Sequence, residues 1–571
     1  STDPTIAEQH LSVADGYGKM MRFLGEHWTK FTGDGGILNA FEEGAVRFAP
    51  RPTQAYLRLS DYLRHPSFLQ RGVDFSIGVD QLARSYLDHS QHKPLRSLLA
   101  LEHAALNQGD VPHFSIQIGQ PDWGQSVCGK EQRDHPVPLH TLGASEAYFI
   151  WHPLTLPPPL EQTQQRRLIS ESLDQRPYLS PASETTFLAT ALHLGRLLLD
   201  RAIPLAEGKL GWIANQFQPR SGLHQYGLIG DDLHSGRAGI ALFLAALYAI
   251  TQEKSWHSAA LAALAPCPTD EATAIRNVGG RLYVLSVCAR LLDEPELLCQ
   301  AVALSAESVM GAITTKLDWG VLDGLAGYLL GLLTLYDHLE DPGQRQHVFP
   351  LITLSTEQLF ASQADWQDQG RSLGGFAHGA AGIAYALARC AALPGYEHCL
   401  RGAQQGWEFQ QSLYHEPPGN WQDRRGVTPV YLHNWCNGAA GIGMAAAASV
   451  STLPHLSGVV ERAATLLLEN EKPAPLDTLC CGRFGQIECL LQMGRVMERR
   501  PWIDQAQVLA HSQLQRAVRA GYFQLYDELP SQHFNPPFFR GVAGIGYTLL
   551  RLAAESGEIK QSLPSVLTWA S

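Results

Sequence analysis

The sequence has no long apolar run, no block of basic residues and few cysteines, and each absence excludes something. Its strongest apolar stretch, residues 239–251, falls short of the roughly 20 residues that span a bilayer. The stretch 438–450 is small and alanine-rich, which suits a tightly packed helix. No membrane span is therefore expected. The opening residues STDPTIAEQH contain no apolar segment of the signal-peptide kind, so a cytoplasmic protein is the expectation. Net charge is −12, from 43 basic against 55 acidic residues, with no basic cluster; nucleic acid and anionic membranes are not expected partners. Ten cysteines in 571 residues are too sparse for a disulfide scaffold, and none are spaced as CxxC. Most are expected to be buried thiols. Any cluster among them points to metal binding or catalysis.

What the sequence does have is a repeat. Gly-x-x-Gly followed by a short apolar segment occurs at 236–239, 324–327, 379–382, 438–441, 482–485 and 541–544, with a degenerate copy at Gly279–Gly280. The copies lie roughly 44 to 59 residues apart. The segments after the glycines, such as IALFLAALYAI and IGYTLLRLAA, are apolar nearly all round and read as buried helices. Amphipathic stretches between them, such as GVVERAATLLLENE, read as outer helices with one wet face. Seven inner and outer pairs closing on themselves make an all-α fold, an α/α toroid with the glycine turns at one end. An open helical solenoid is the alternative. Residues 1–180 lack the repeat and carry proline-rich stretches, so they are expected to form a separate α-rich domain before a ring domain at 181–571.

Three cysteines sit in the repeat register. Cys436 stands two residues before a first glycine, and Cys480 and Cys481 stand directly before another. In a closed ring these turns face one opening, where three thiolates suit zinc and leave a fourth position open, as in catalytic sites. Spacing alone is weak support, since adjacent cysteines are often just buried neighbours. His378, directly before its glycine, is a candidate acid/base by its pKa range, although a lone histidine is more often a hydrogen-bonded turn residue. His234 and Trp435 share the register and weigh as structural.

The motifs FAHGAAGIA, NWCNGAAGIG and LCCGRFG, in that order, resemble those of the LanC-like cyclases, over about residues 185–571. That family's members are zinc-dependent α/α toroids that form lanthionine rings in lanthipeptides. The resemblance implies Michael addition of peptide cysteine thiolates to dehydroalanine or dehydrobutyrine in a ribosomal precursor peptide carrying a leader. It implies one zinc ion on Cys436, Cys480 and Cys481, an all-cysteine set similar to one branch of the class II synthetases. The stretch VRFAPRPTQAYLRLSDYLRHPSFL looks like the end of a class II (LanM) dehydratase domain, which assigns Arg47 and Thr53 to phosphate elimination. The family's kinase-like motifs lie upstream of that Arg, and only 46 residues precede Arg47. Dehydration, with its ATP and Mg2+, is therefore expected only of a longer polypeptide. Cyclases also often carry an Asp and an Arg where this chain has Gly320 and Leu432; Asp318 or Asp323 is a candidate substitute, and with Trp435 a candidate substrate contact. Two other readings stay open: a non-catalytic zinc-containing scaffold that binds peptides or thiols, and a glycoside hydrolase toroid, which would need two carboxylates across the cavity.

Overall fold

The structure is a computed structural model. It describes residues 4–32, 36, 45–48, 51, 53–65, 68, 70–80, 82–83, 99–112, 114–117, 159–174, 176–180, 186–218, 223–265, 278–314, 319–322, 324–362, 373–425, 428–470, 474–526 and 533–570. Two compact units emerge, residues 15–162 and residues 163–571 together with 1–14. No helix among the described residues is long and apolar enough to cross a membrane.

The N-terminal region carries helices α1 (Pro4–Thr32), α2 (Thr53–Leu63), α3 (Gly72–Val79) and α4 (Leu99–Asn107). Strands β1 (Ala45–Phe48) and β2 (Phe114–Gln117) pair antiparallel, with Arg47 opposite Ser115. A small core joins Tyr56, Leu63, Val79, Leu82 and Leu106. Beside it, fully buried Glu102 accepts from Arg51 Nε at 2.8 Å and from the Tyr56 hydroxyl at 2.6 Å. A buried carboxylate needs such partners.

After α5 (Pro159–Leu173) and α6 (Phe187–Asp200) the repeats begin. The inner helices are α7 (Arg237–Thr251), α9 (Val278–Leu292), α11 (Leu325–His338), α13 (Ala380–Cys390), α15 (Ala439–Ser449), α17 (Arg483–Val496) and α19 (Val542–Glu555). Each packs on the next, and α19 packs back on α7, which closes the ring. Between them run α8 (Lys254–Leu264), α10 (Glu296–Thr314), α12 (Pro342–Ala361), α14 (Cys399–Ser412), α16 (Ser457–Leu468) and α18 (Arg500–Ala520), each against the inner helix before it. The buried residues of α18 fall at 503, 506, 510, 514, 517 and 518, one stripe of a 3.6-residue period. Inner helices are buried nearly all round; in α7 every residue from Arg237 to Leu247 is buried.

The seven pairs are not all consecutive in sequence. Among the described residues no outer helix follows α19, and its outer partner is α6, from the front of the ring domain. The first and last elements thus meet and lock the circle. The fold is helical, as the repeat implies, with short antiparallel additions: β3 (Ile203–Pro204) on β4 (Leu210–Gly211), β5 (Ile213–Gln218) on β6 (Leu223–Leu228), and β7 (Tyr414–His415), β8 (Asn420–Asp423) and β9 (Val430–Tyr431) in one sheet.

The glycines work by close approach. At the second glycine of six copies, an added Cβ would fall 1.9–2.4 Å from the carbonyl oxygen six residues earlier, as at Gly441 against Trp435 and Gly485 against Leu479. The first glycines precede the helices in extended conformation, for example φ −113° at Gly438, so a left-handed backbone is not the reason for them. The degenerate copy differs: a Cβ on Gly279 would lie 2.3 Å from the Gly327 oxygen, so there glycine lets α9 and α11 touch.

The end of the ring away from these turns is closed by residues after α19. The Trp569 carbonyl accepts from Thr334 Oγ1 at 2.8 Å and from Arg389 Nη1 at 2.7 Å. Arg551 on α19 donates to Leu563 O at 2.7 Å and pairs with Glu488 of α17 at 2.9 Å, both side chains no more than 3% exposed. Replacing Arg551 with Leu strands a buried carboxylate and is expected to cost about 3–5 kcal/mol, read as a lower denaturation midpoint. A midpoint unchanged in urea would refute this.

Candidate metal centre

The turns before the inner helices are stitched together by backbone hydrogen bonds. Val321 N donates to Ala377 O at 2.9 Å, Ala377 N to Cys436 O at 2.7 Å, Cys436 N to Cys480 O at 3.4 Å, Cys480 N to Phe539 O at 2.9 Å, and Phe539 N to His234 O at 3.1 Å. Six turns, far apart in sequence, are held at one opening in one register. Counting back from the first glycine, the second position holds His234, Leu322, Ala377, Cys436, Cys480 and Phe539. The first holds Ser235, Asp323, His378, Asn437, Cys481 and Arg540.

Neighbouring copies of this register therefore bring the three cysteines together. Their sulfurs lie within 4.8 Å of one another. Cys436 Sγ is 3.7 Å from Cys481 Sγ, which is 3.5 Å from Cys480 Sγ. Four sulfurs placed tetrahedrally at about 2.3 Å from a zinc ion would be about 3.8 Å apart. All three thiols are free, and Cys436 and Cys480 are each 5% exposed.

The thiols share protons unequally. Hydrogen bonding with Cys436 and Cys480 draws Cys481 down to about 3, against the opposing effect of burial, and Arg540 assists. Cys436 is pushed up to about 12: its bond with Cys480 lowers it, but the Cys481 contact and burial outweigh that. Cys480 is raised well above an ordinary thiol by its bonds with both neighbours and by burial. The cluster thus favours one thiolate, and an added positive charge would favour ionising the others.

Two cations bear on it. Arg540 is exposed, next to Phe539. Arg425, just after β8, is clamped by Asp423, with Nη2 2.6 Å and Nε 3.0 Å from Asp423 Oδ2. Burial opposes the Asp423 charge, but hydrogen bonds from Arg425 outweigh it and hold its pKa low. Arg425 also donates from Nη1 to the Asn437 side-chain oxygen at 2.9 Å, beside Cys436. Sequence reasoning named neither arginine. Arg540 was available from the register; Arg425 lies on an insertion between repeats and left no signal.

His378 is half-buried in the same register, and its charge bears on His234. Trp435 is fully buried between Phe376 and Phe539, with ring centroids at 5.5 and 4.7 Å, so it forms the floor beneath the turns. Asp318 and Asp323 lie outside the described residues. A Cβ on Gly320 would meet Ala377 O at 2.7 Å and His378 Cα at 2.8 Å, which explains why that position holds no carboxylate here. Arg47 lies on β1, its side chain outside the described residues, and Thr53 is half-buried at the start of α2.

Among curated proteins none matches the chain. A solved nisin cyclase is similar at 18% identity, over 59% of this chain and 92% of that one, with a TM-score of 0.44. Residues 4–117 match a domain of unknown function, DUF4135. Residues 228–567, more than half of the chain and all seven inner helices, match the lanthionine synthetase C-like protein model. The chain belongs to the lanthionine synthetase C-like family.

Proposed function

We propose that this protein closes lanthionine and methyllanthionine rings by adding peptide cysteine thiolates to dehydroalanine or dehydrobutyrine in a ribosomally made precursor peptide. The convergence of Cys436, Cys480 and Cys481 at the ring opening carries this reading. Their spacing and softness fit zinc, and three ligands leave a fourth position open. A zinc ion held by Cys436, Cys480 and Cys481 would supply a lowered pKa to the reacting peptide cysteine. The sulfur then bonds to the β-carbon of the dehydroamino acid, the double-bond electrons move toward the α-carbon, and a proton completes the product. His378, at the same opening, gives that proton and recovers one from the incoming thiol. Arg425 and Arg540 oppose the negative charge that builds up during addition. In the N-terminal region, Arg47 and Thr53 serve phosphate elimination, and ATP with Mg2+ belongs to a preceding phosphorylation. The protein acts in the cytoplasm, on a precursor that carries a leader.

The test is mass spectrometry with a thiol-alkylating reagent on a pre-dehydrated, cysteine-containing peptide. Loss of free thiol without mass change is the expected result. Peptide binding with free thiols persisting would instead support a non-catalytic scaffold.

Metal uptake should depend on pH. Near neutrality Cys481 is already ionised, while Cys436 and Cys480 each keep a proton that the metal must displace. Binding releases those two protons, so affinity rises with pH, by about 100-fold per unit between pH 6 and 8. Competition against a chromogenic chelator measures it. A slope of tenfold per unit or less contradicts this proton inventory.

A further inference from the structure

His234 opens the first repeat at the register position that Cys436 and Cys480 occupy in theirs. Its carbonyl accepts from Phe539 N at 3.1 Å, and its ring stacks on Phe539 with centroids 5.0 Å apart and planes 16° from parallel. Both contacts hold the imidazole at the opening. Nδ1 lies 2.7 Å from Ser235 Oγ. Nε2 is buried and has no hydrogen-bond partner among the described residues.

A buried polar atom left unmatched costs about 1–3 kcal/mol and calls for an explanation. The charged groups that bear on this ring are Arg540, Cys481 and His378. Of the three thiols, only Cys481 is among them. A Ser235 hydroxyl that donates to Nδ1 puts the ring hydrogen on Nε2. Cys481, the thiol whose charge bears on the ring, is the acceptor chemistry that matches an Nε2–H.

We propose that His234 is a positioning residue for the metal-bearing cysteines, its Nε2–H donating to the Cys481 sulfur once the three thiolates hold a metal ion. The inference rests on the zinc reading above and deepens it. Three thiolates on a divalent ion leave a net charge of −1, and an incoming fourth would leave −2. A hydrogen bond to one sulfur draws off part of that charge. Groups that orient metal ligands in this way commonly account for 10–100-fold in metal affinity. Ser235 acts one step further out, by fixing which nitrogen carries the hydrogen.

The experiment loads the full chain with cobalt(II), which reports on sulfur ligands by its charge-transfer absorption. Wild type is compared with His234→Phe, which keeps the stack on Phe539 and loses the N–H, and with His234→Gln, which keeps an N–H. In His234→Phe the charge-transfer band should move to lower energy and zinc affinity should fall by about tenfold or more. His234→Gln should recover most of both. Ser235→Ala should shift the band the same way by less, and it stands in if His234→Phe does not fold. A band and an affinity unchanged in His234→Phe, or in Ser235→Ala where that variant stands in, with one cobalt per chain in wild type, would overturn the inference alone. Wild type that takes up no cobalt would overturn the metal reading and this inference with it.

Discussion

Cys436→Ala should abolish metal uptake and slow ring closure by about a thousandfold while leaving the fold intact. The fold survives because Cys436 holds its neighbours through its backbone: its carbonyl accepts from Phe376 N and Ala377 N, and its N–H donates to Cys480 O. None of these bonds involves the thiol. Activity should not survive. A free cysteine with a pKa of about 8.5 is only a few per cent ionised at pH 7, so losing thiol activation alone costs about 30-fold. The rest comes from positioning, since ring closure must bring together two groups on a flexible peptide. Zinc content should fall from one per chain to near zero, and alkylation should find the peptide thiols still free. Cys489→Ala is the matched control. Cys489 is fully buried on α17 with its sulfur 3.7 Å from Met444 Sδ, away from the cluster. It should lose stability yet keep zinc and ring closure. Cys436→Ala closing rings within tenfold of wild type would defeat the assignment.

Much of this site was legible because the repeat marks it twice, once by its glycines and once by the residues just before them. Cys436, Cys480, Cys481 and His378 stand at defined offsets from glycines that a close carbonyl makes obligatory, so their offsets carry spatial meaning. Arg540 shares that offset and could have been read from it. Arg425 could not, because β8 and β9 interrupt the repeat and no periodicity reaches them. The pairing of α19 with α6 was equally hidden. An outer helix is expected after each inner one, but a circle closes through whichever elements stand at its ends. Gly320 was seen as a departure, and only the nearness of Ala377 and His378 gives the reason for it.

Gly441→Ala should destabilise the ring by about 3–5 kcal/mol, one of the largest effects a single methyl group can have. The added Cβ would sit 1.9 Å from the Trp435 carbonyl oxygen and 3.0 Å from Phe376 Cβ. The first obstacle is backbone and cannot rotate away. Moving it drags the next peptide, and Cys436 with it, away from the two N–H groups its carbonyl accepts from. Trp435 is packed between Phe376 and Phe539, so its own shift meets resistance on both sides. Gly458→Ala, in α16 of the same repeat, is the informative comparison. A Cβ there meets nothing nearer than Arg462 Nη1 at 3.7 Å. Alanine should therefore stabilise that helix by about 0.5–1 kcal/mol, because glycine loses more freedom on folding. Thermal melts followed by circular dichroism should show the two variants moving in opposite directions from wild type. Gly441→Ala melting within a degree of wild type would mean that the turns can yield. The glycine register would then not be what holds the three thiols at one opening.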